Sequence, residues 1–183
     1  MATVEITTNK KSVLIGGGSY NWTPTLALDL FCTPGLRNSE LVLVDVDEQA
    51  GKLMLRYARK LAETVDTGWH VTFSALDEAL AHADIVCVSI STGGLTSMEK
   101  DLNTAEKYGV YQTVGDTTGP AGISRTLRNV PIFIDIARKM ESLCPDAWMV
   151  HVTNPLNQLT RAVNRYSSIP CIGLCHNYAG TVS

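Results

Sequence analysis

Three consecutive glycines, Gly16, Gly17 and Gly18, separate two stretches of opposite character, and no other feature limits the fold so sharply. Before them, Ser12-Val13-Leu14-Ile15 is a short apolar run of strand type. After Ser19, Thr23-Pro24 opens a helical stretch over residues 25–31, with proline at the first helical position, where a missing N–H costs nothing. A turn at Pro34-Gly35 leads to a second apolar strand, Leu41-Val42-Leu43-Val44, which ends in Asp45. Strand, glycine turn, helix, strand, acid is the order of a mononucleotide-binding βαβ unit. Glycines let the backbone approach a pyrophosphate, and a helix start offers it N–H groups and partial positive charge. An acid at the end of the second strand accepts hydrogen bonds from ribose hydroxyls. The candidate cofactor residues are therefore Gly16, Gly17, Gly18, Ser19, Tyr20, Asn21 and Asp45, with Asp47 as the rival acid. Asn21 stands where the strict fingerprint has its third glycine, so the surrounding strands and helix carry the assignment. The bland alternative is a tight turn without a ligand. No arginine closely follows Asp45, which favours NAD over NADP.

The 183 residues suffice for one domain with a full core, and 45% of them are apolar. A net charge of −3 without a long basic run gives no electrostatic case for nucleic acid or a membrane surface. No apolar run approaches a membrane span, and the polar residues 1–11 do not read as a secretory signal. Five scattered cysteines, an odd number, read as reduced cytoplasmic thiols rather than a disulfide framework. The stop at Thr181-Val182-Ser183, just after an apparent loop, reads as an interrupted chain.

Along the chain, residues 48–65 are helical, with Leu53, Tyr57, Leu61 and Val65 four apart and Ala50, Met54, Ala58 and Ala62 beside them. Residues 69–73 alternate like a strand, 77–82 form a short helix, and 84–90 are a nearly continuous apolar run suited to a central parallel strand. Ser91-Thr92-Gly93-Gly94 interrupts the pattern where doubly wound sheets bind ligands, which adds Ser91 to the cofactor set. A helix over 95–108, a Gly/Thr-rich loop over 109–122 and a long helix over 123–143, kinked at Pro131, come next. Strand 148–152, helix 156–166 and strand 170–174 complete the series. Six strands with intervening helices predict an α/β fold, a doubly wound parallel Rossmann-type sheet of order 3-2-1-4-5-6. The polar clusters after strands one, four, five and six then gather at one edge.

Several residues on that edge carry chemistry. Cys175 and His176 are both good ligands for zinc- or manganese-type ions, but adjacent residues rarely share one ion, so one is the ligand and the other an acid or base. Cys175 as a small buried residue and His176 as a structural histidine are the bland readings. Asn154 suits a substrate hydroxyl or carbonyl, or else caps the helix that follows Pro155. Asp116, in the long loop, can orient a substrate hydroxyl or act as acid or base, or else close an Asx-turn. Arg125 and Arg128 lie three apart on the next helix and can hold an anion, although a solvated face is the preferred reading.

Together these stretches resemble the NAD- and metal-dependent family 4 glycoside hydrolases. The resemblance rests on Ile15-Gly16-Gly17-Gly18-Ser19 with Thr23-Pro24, on residues 115–122 running into Arg125-Thr126-Leu127-Arg128-Asn129-Val130-Pro131, on Thr153-Asn154-Pro155 and on Gly173-Leu174-Cys175-His176. It covers about residues 11–183 and is nearest to the α-galactosidase and α-uronidase branch. It implies that NAD+ takes hydride from sugar C3, a base removes the C2 proton, the leaving group departs by elimination, water adds and the hydride returns. A divalent metal, usually Mn2+, stabilises the intermediate, outside the two-carboxylate scheme of most glycosidases. Carried over, Cys175 is the metal ligand, Asn154 contacts substrate, His176 matches a proposed proton donor, Asp116 an acidic position needed for activity and Asp45 the ribose-binding acid. The family's second metal ligand and its base lie beyond Ser183. Residues 1–183 are thus expected to be an NAD-binding domain cut at the start of the catalytic lobe, inactive alone and homo-oligomeric when full length. Residues 91–101 lack the arginine of the phospho-sugar members, which disfavours 6-phosphoglycosides. Two rivals remain: a malate/lactate-type 2-hydroxy-acid dehydrogenase, which would need an arginine clamp after strand four, and a non-catalytic dinucleotide-binding fragment.

Overall fold

The computed structural model describes residues 9–175. Among them six strands form one parallel sheet: β1 (Lys11–Ile15), β2 (Glu40–Val44), β3 (His70–Phe73), β4 (Ile85–Val88), β5 (Trp148–His151) and β6 (Cys171–Gly173). Their order is β3-β2-β1-β4-β5-β6, as the alternation of apolar runs and helices predicts. Val13 pairs with Val42 on one side and Val86 on the other, and Met149 then joins Val86 to Cys171.

Side-chain alternation along the strands divides the core into two layers. Val13, Ile15, Val42, Val44, Val86 and Val88 point one way, onto Phe133, Ile136, Ala137, Met140 and Leu159. The last five come from α5 (Gly119–Leu143) and α6 (Leu156–Tyr166). Leu14, Leu41 and Leu43 point the other way, onto Phe31 of α1 (Trp22–Cys32) and Met54, Ala58 and Ala62 of α2 (Glu48–Val65). Phe31 and Phe133 are fully buried, each contributing on the order of 2–3 kcal/mol. Helix α3 (Leu76–Leu80) packs on β1, β2 and α5, and helix α4 (Gly94–Glu106) packs on α5.

Most expected boundaries shift by only one or two residues, and three readings change. Helix α1 starts at Trp22, which puts Pro24 third rather than first; it still lies within the first turn, whose N–H groups have no intrahelical partner. In α2 the buried residues are Gly51, Met54, Ala58 and Ala62, whereas Leu53 and Tyr57 are about half exposed. Two apolar rows run side by side there, and the row of smaller side chains faces the sheet because it permits closer approach. Helix α5 begins at Gly119, not residue 123, and continues through Pro131. Its early start has a cause. Gln112 accepts a hydrogen bond from the backbone N–H of Ala121 (3.1 Å) and donates to the Thr118 carbonyl (2.9 Å), capping the helix from a distance. Among the described residues, no helix is long and apolar enough to cross a membrane.

Candidate functional site

The carboxyl ends of β1, β2, β4, β5 and β6 open into a cavity of about 1160 Å3. Doubly wound sheets bind ligands at such a crevice, where the strand order reverses. Here β1 and β4 flank the reversal, and the chain leaves them in opposite directions.

The glycine turn forms one wall. Gly16 has φ +92°, and a Cβ there would lie 1.9 Å from the Ser89 carbonyl oxygen, so both the conformation and the space require glycine. The N–H groups of Gly16 and Gly17 bond the Val44 carbonyl, and that of Gly18 bonds Asp45 Oδ2 at 2.7 Å. A Cβ on Gly18 would meet that same carboxylate at 2.8 Å. Among the described residues, none of the turn's hydrogen bonds uses the backbone N–H of Tyr20 or Asn21. Those two donors stand at the start of α1, where an anion is favoured by the helix dipole. Ser19 orders the same start, its Oγ accepting from Trp22 N–H at 3.1 Å.

Asp45 and Asp47 have separate tasks. Asp47 caps α2, its carboxylate accepting from Gln49 and Ala50 N–H, each at 3.0 Å. Asp45 lines the cavity, with Oδ2 on Gly18 N–H and Oδ1 on Asp47 N–H at 2.9 Å. Of the expected cofactor residues, Gly16, Ser19, Asp45 and Ser91 line the cavity, whereas Gly17, Gly18, Tyr20 and Asn21 lie outside its lining. The first two of these four are turn residues that face Leu43 and Asp45, and Tyr20 is exposed.

The opposite wall is built by side chains. Asp116 lines the cavity and forms an ion pair with Arg125, which also donates to the Asn154 carbonyl at 3.3 Å. Asn129 donates to that same carbonyl at 3.1 Å. Arg128 grips Asp101 of α4 through its two terminal guanidinium nitrogens, at 3.1 and 2.6 Å. Its hydrogen bonds hold the Asp101 carboxyl below the usual carboxylate range, against partial burial and with help from Ser124. The expected solvated face is therefore incorrect for both arginines. Their partners approach from elsewhere in the chain, and their side chains are only 16% and 25% exposed.

Asn154 lines the cavity and does not cap α6, whose N-cap is Pro155 without a side-chain bond. The Asn154–Pro155 peptide is cis. Thr153 ties the ends of β4 and β5 together, accepting from Ile90 N–H at 3.0 Å. Below it, His151 is fully buried against Phe133 and bonds Thr160 at 2.8 Å. Thr160 also donates to the Leu156 carbonyl at 2.8 Å. Burial pushes the His151 pKa down to about 4. Cys175 is exposed at the end of β6 and lines the cavity, so the buried reading of this thiol is excluded. His176 lies outside the described residues. Among the described residues, no three His, Cys, Asp or Glu side chains form a group able to hold a metal ion. Trp22, Glu48 and Thr153 also line the cavity. The sequence offered a signal only for Thr153, next to Asn154; Trp22 escaped because α1 was expected to start later.

The family 4 glycosyl hydrolase model matches residues 11–183 of this sequence. The chain belongs to the family 4 glycosyl hydrolases. It is 38% identical over 170 residues to an α-galacturonidase of Thermoanaerobacterium saccharolyticum, covering 91% of this chain and 37% of that protein. It is also 38% identical over 175 residues to an α-galactosidase of Bacillus subtilis, covering 92% of this chain and 39% of that protein. A 6-phospho-β-glucosidase of Thermotoga maritima, solved with manganese, NAD+ and glucose-6-phosphate, superposes with a TM-score of 0.82 at 28% identity. That match covers 95% of this chain and 41% of the other. The chain thus spans well under half the length of the relatives it matches.

Proposed function

We propose that this chain is the dinucleotide-binding part of an NAD- and divalent-metal-dependent glycosidase acting on α-galactosides or α-uronides. The reaction is oxidation at sugar C3, elimination across C1 and C2, addition of water and reduction back at C3. One observation carries the reading: a single cavity has the Gly16 turn and Asp45 at one end, and Asp116, Asn154 and Cys175 at the other.

The residues present fit a dinucleotide. Asp45 would take the adenosine ribose, the backbone N–H groups of Tyr20 and Asn21 the pyrophosphate, and Ser91 the far half. Cys175 supplies one donor suited to a manganese- or zinc-type ion, and since no metal-holding group of three such side chains forms among the described residues, the rest of the shell would have to come from elsewhere. When bound, NAD+ supplies a hydride acceptor and the metal a Lewis acid. The chain's own side chains do the rest. Asn154 orients a sugar hydroxyl. Asp116, held by Arg125, accepts a hydrogen bond from the sugar or moves a proton at its oxygen. His176 is the proton donor to the leaving group. The absence of an arginine from residues 91–101 favours substrates without a 6-phosphate.

Two measurements test this. Trp22 lines the cavity, so NAD+ added to the chain is expected to quench tryptophan fluorescence saturably. A polypeptide carrying this chain at the length of its relatives is expected to cleave an α-galactoside or α-uronide in D2O only with NAD+, divalent metal and reductant, leaving deuterium at C2. Cleavage without exchange and without NAD+ refutes the mechanism.

A further inference from the structure

We propose that Arg128, with Asp101 as its counter-charge, is a positioning residue that shapes the loop after β4 and so sets the seat of the nicotinamide half of the dinucleotide. The inference rests on the dinucleotide reading above and goes beyond it, because Arg128 does not itself line the cavity.

Three parts of the molecule meet on this one guanidinium. Its two terminal nitrogens bond Asp101 Oδ1 and Oδ2 of α4, the planar fork matched to the planar carboxylate. Its Nε donates to the Thr92 carbonyl at 3.1 Å. Ser124, one turn earlier on α5, donates to Asp101 Oδ1 at 2.6 Å and fixes the carboxylate's plane. Asp101 is 8% exposed, so losing the arginine would leave a nearly buried charge unpaired. The loop held in this way, Ser91 to Gly93, lines the cavity.

The location gives the device its role. Asp45, at the end of β2, marks the adenosine side of the crevice, so a dinucleotide spanning it brings its other half to the β4 side. The loop there has a Gly93 in the left-handed region (φ +79°), and Thr92 lies beyond the end of β4. Arg128 supplies a bond to the Thr92 carbonyl. A lysine can neutralise Asp101, but as a point charge it cannot hold the carboxylate in a fork and the carbonyl at once.

The experiment titrates the chain with NAD+ and with ADP-ribose, which lacks the nicotinamide, in the unaltered form and in Arg128→Lys and Asp101→Asn. Circular dichroism and thermal melting check each fold. The unaltered chain is expected to prefer NAD+ over ADP-ribose. Both variants are expected to lose about tenfold in NAD+ affinity, as one charge-assisted hydrogen bond predicts, with ADP-ribose affinity unchanged within about twofold. Either variant, if folded, suffices. A merely structural role would weaken both ligands together. Parallel loss, no loss, or equal affinity for the two ligands in the unaltered chain overturns the assignment. An unaltered chain that binds neither ligand instead overturns the dinucleotide reading beneath it.

Discussion

The two walls of the cavity reach rigidity by different means. The β1–β2 wall is a backbone structure: Gly16 is pressed against Ser89, Gly18 against Asp45, and the turn's N–H groups bond Val44 and Asp45. The β4–β6 wall is held by long side chains acting across the sequence. Arg125 bonds Asp116 and Asn154, Arg128 bonds Asp101 and Thr92, and Gln158 of α6 donates to the Thr117 carbonyl at 3.0 Å. A wall of backbone tolerates no added atom, whereas a wall of side chains can be dismantled one contact at a time.

The largest expected effect is on the first wall. Gly16→Val forces a Cβ into the Ser89 carbonyl and a β-branched residue to positive φ, and should cost about 3 kcal/mol or more together with NAD+ binding. Urea denaturation and fluorescence titration check it, and a near-neutral result would break the contrast. Acid comes next, and it acts under the second wall. His151 has a folded pKa of about 4 against an ordinary 6.5, so between those values the unfolded chain binds more protons. Its contribution is complete above about pH 6.5 and is lost as pH falls toward 4, a total of about 3 kcal/mol for a fully buried ring. Hydrogen exchange at falling pH should open β5 and α6 before β1 and β2, and His151→Phe should flatten the pH profile.

Arg125→Ala should cost about 2 kcal/mol, because it leaves Asp116 unpaired and the Asn154 carbonyl with one donor fewer. Thermal melts measure the loss, and Arg125→Lys should recover only part of it. The smallest effect sets the walls side by side. Asp47→Ala removes an adjacent cap from α2, and Gln112→Ala removes a remote one from α5. Each should cost about 1 kcal/mol, but only the second should also change hydrogen exchange in residues 107–118.

The same contrast explains what was legible in the sequence. The strand order and the glycine turn depend on local periodicity and on neighbours in sequence, and both match the structure. Helix α2 matches at both ends as well, but its buried row does not follow from periodicity, since Leu53-Tyr57 and Met54-Ala58 are equally regular. Side-chain size decided between them, and only the sheet reveals how close the helix must come. Arg125 and Arg128 read as a solvated pair because their partners lie 9 and 27 residues away. The capping by Gln112 escaped for a similar reason, nine residues before the N–H it satisfies. The family resemblance could be read because its motifs are short ordered runs; the clasps that hold those runs together are dispersed single residues.

The tethering of Asp45 has a last consequence. With one oxygen on Gly18 N–H and the other on Asp47 N–H, this side chain has already given up its rotational freedom within the fold. A hydroxyl docking there, as proposed, would meet a preset acceptor, without the entropic cost of immobilising a free carboxylate, about 1 kcal/mol. Glutamate would carry the same charge on a longer and freer arm, so at this position reach matters less than stillness.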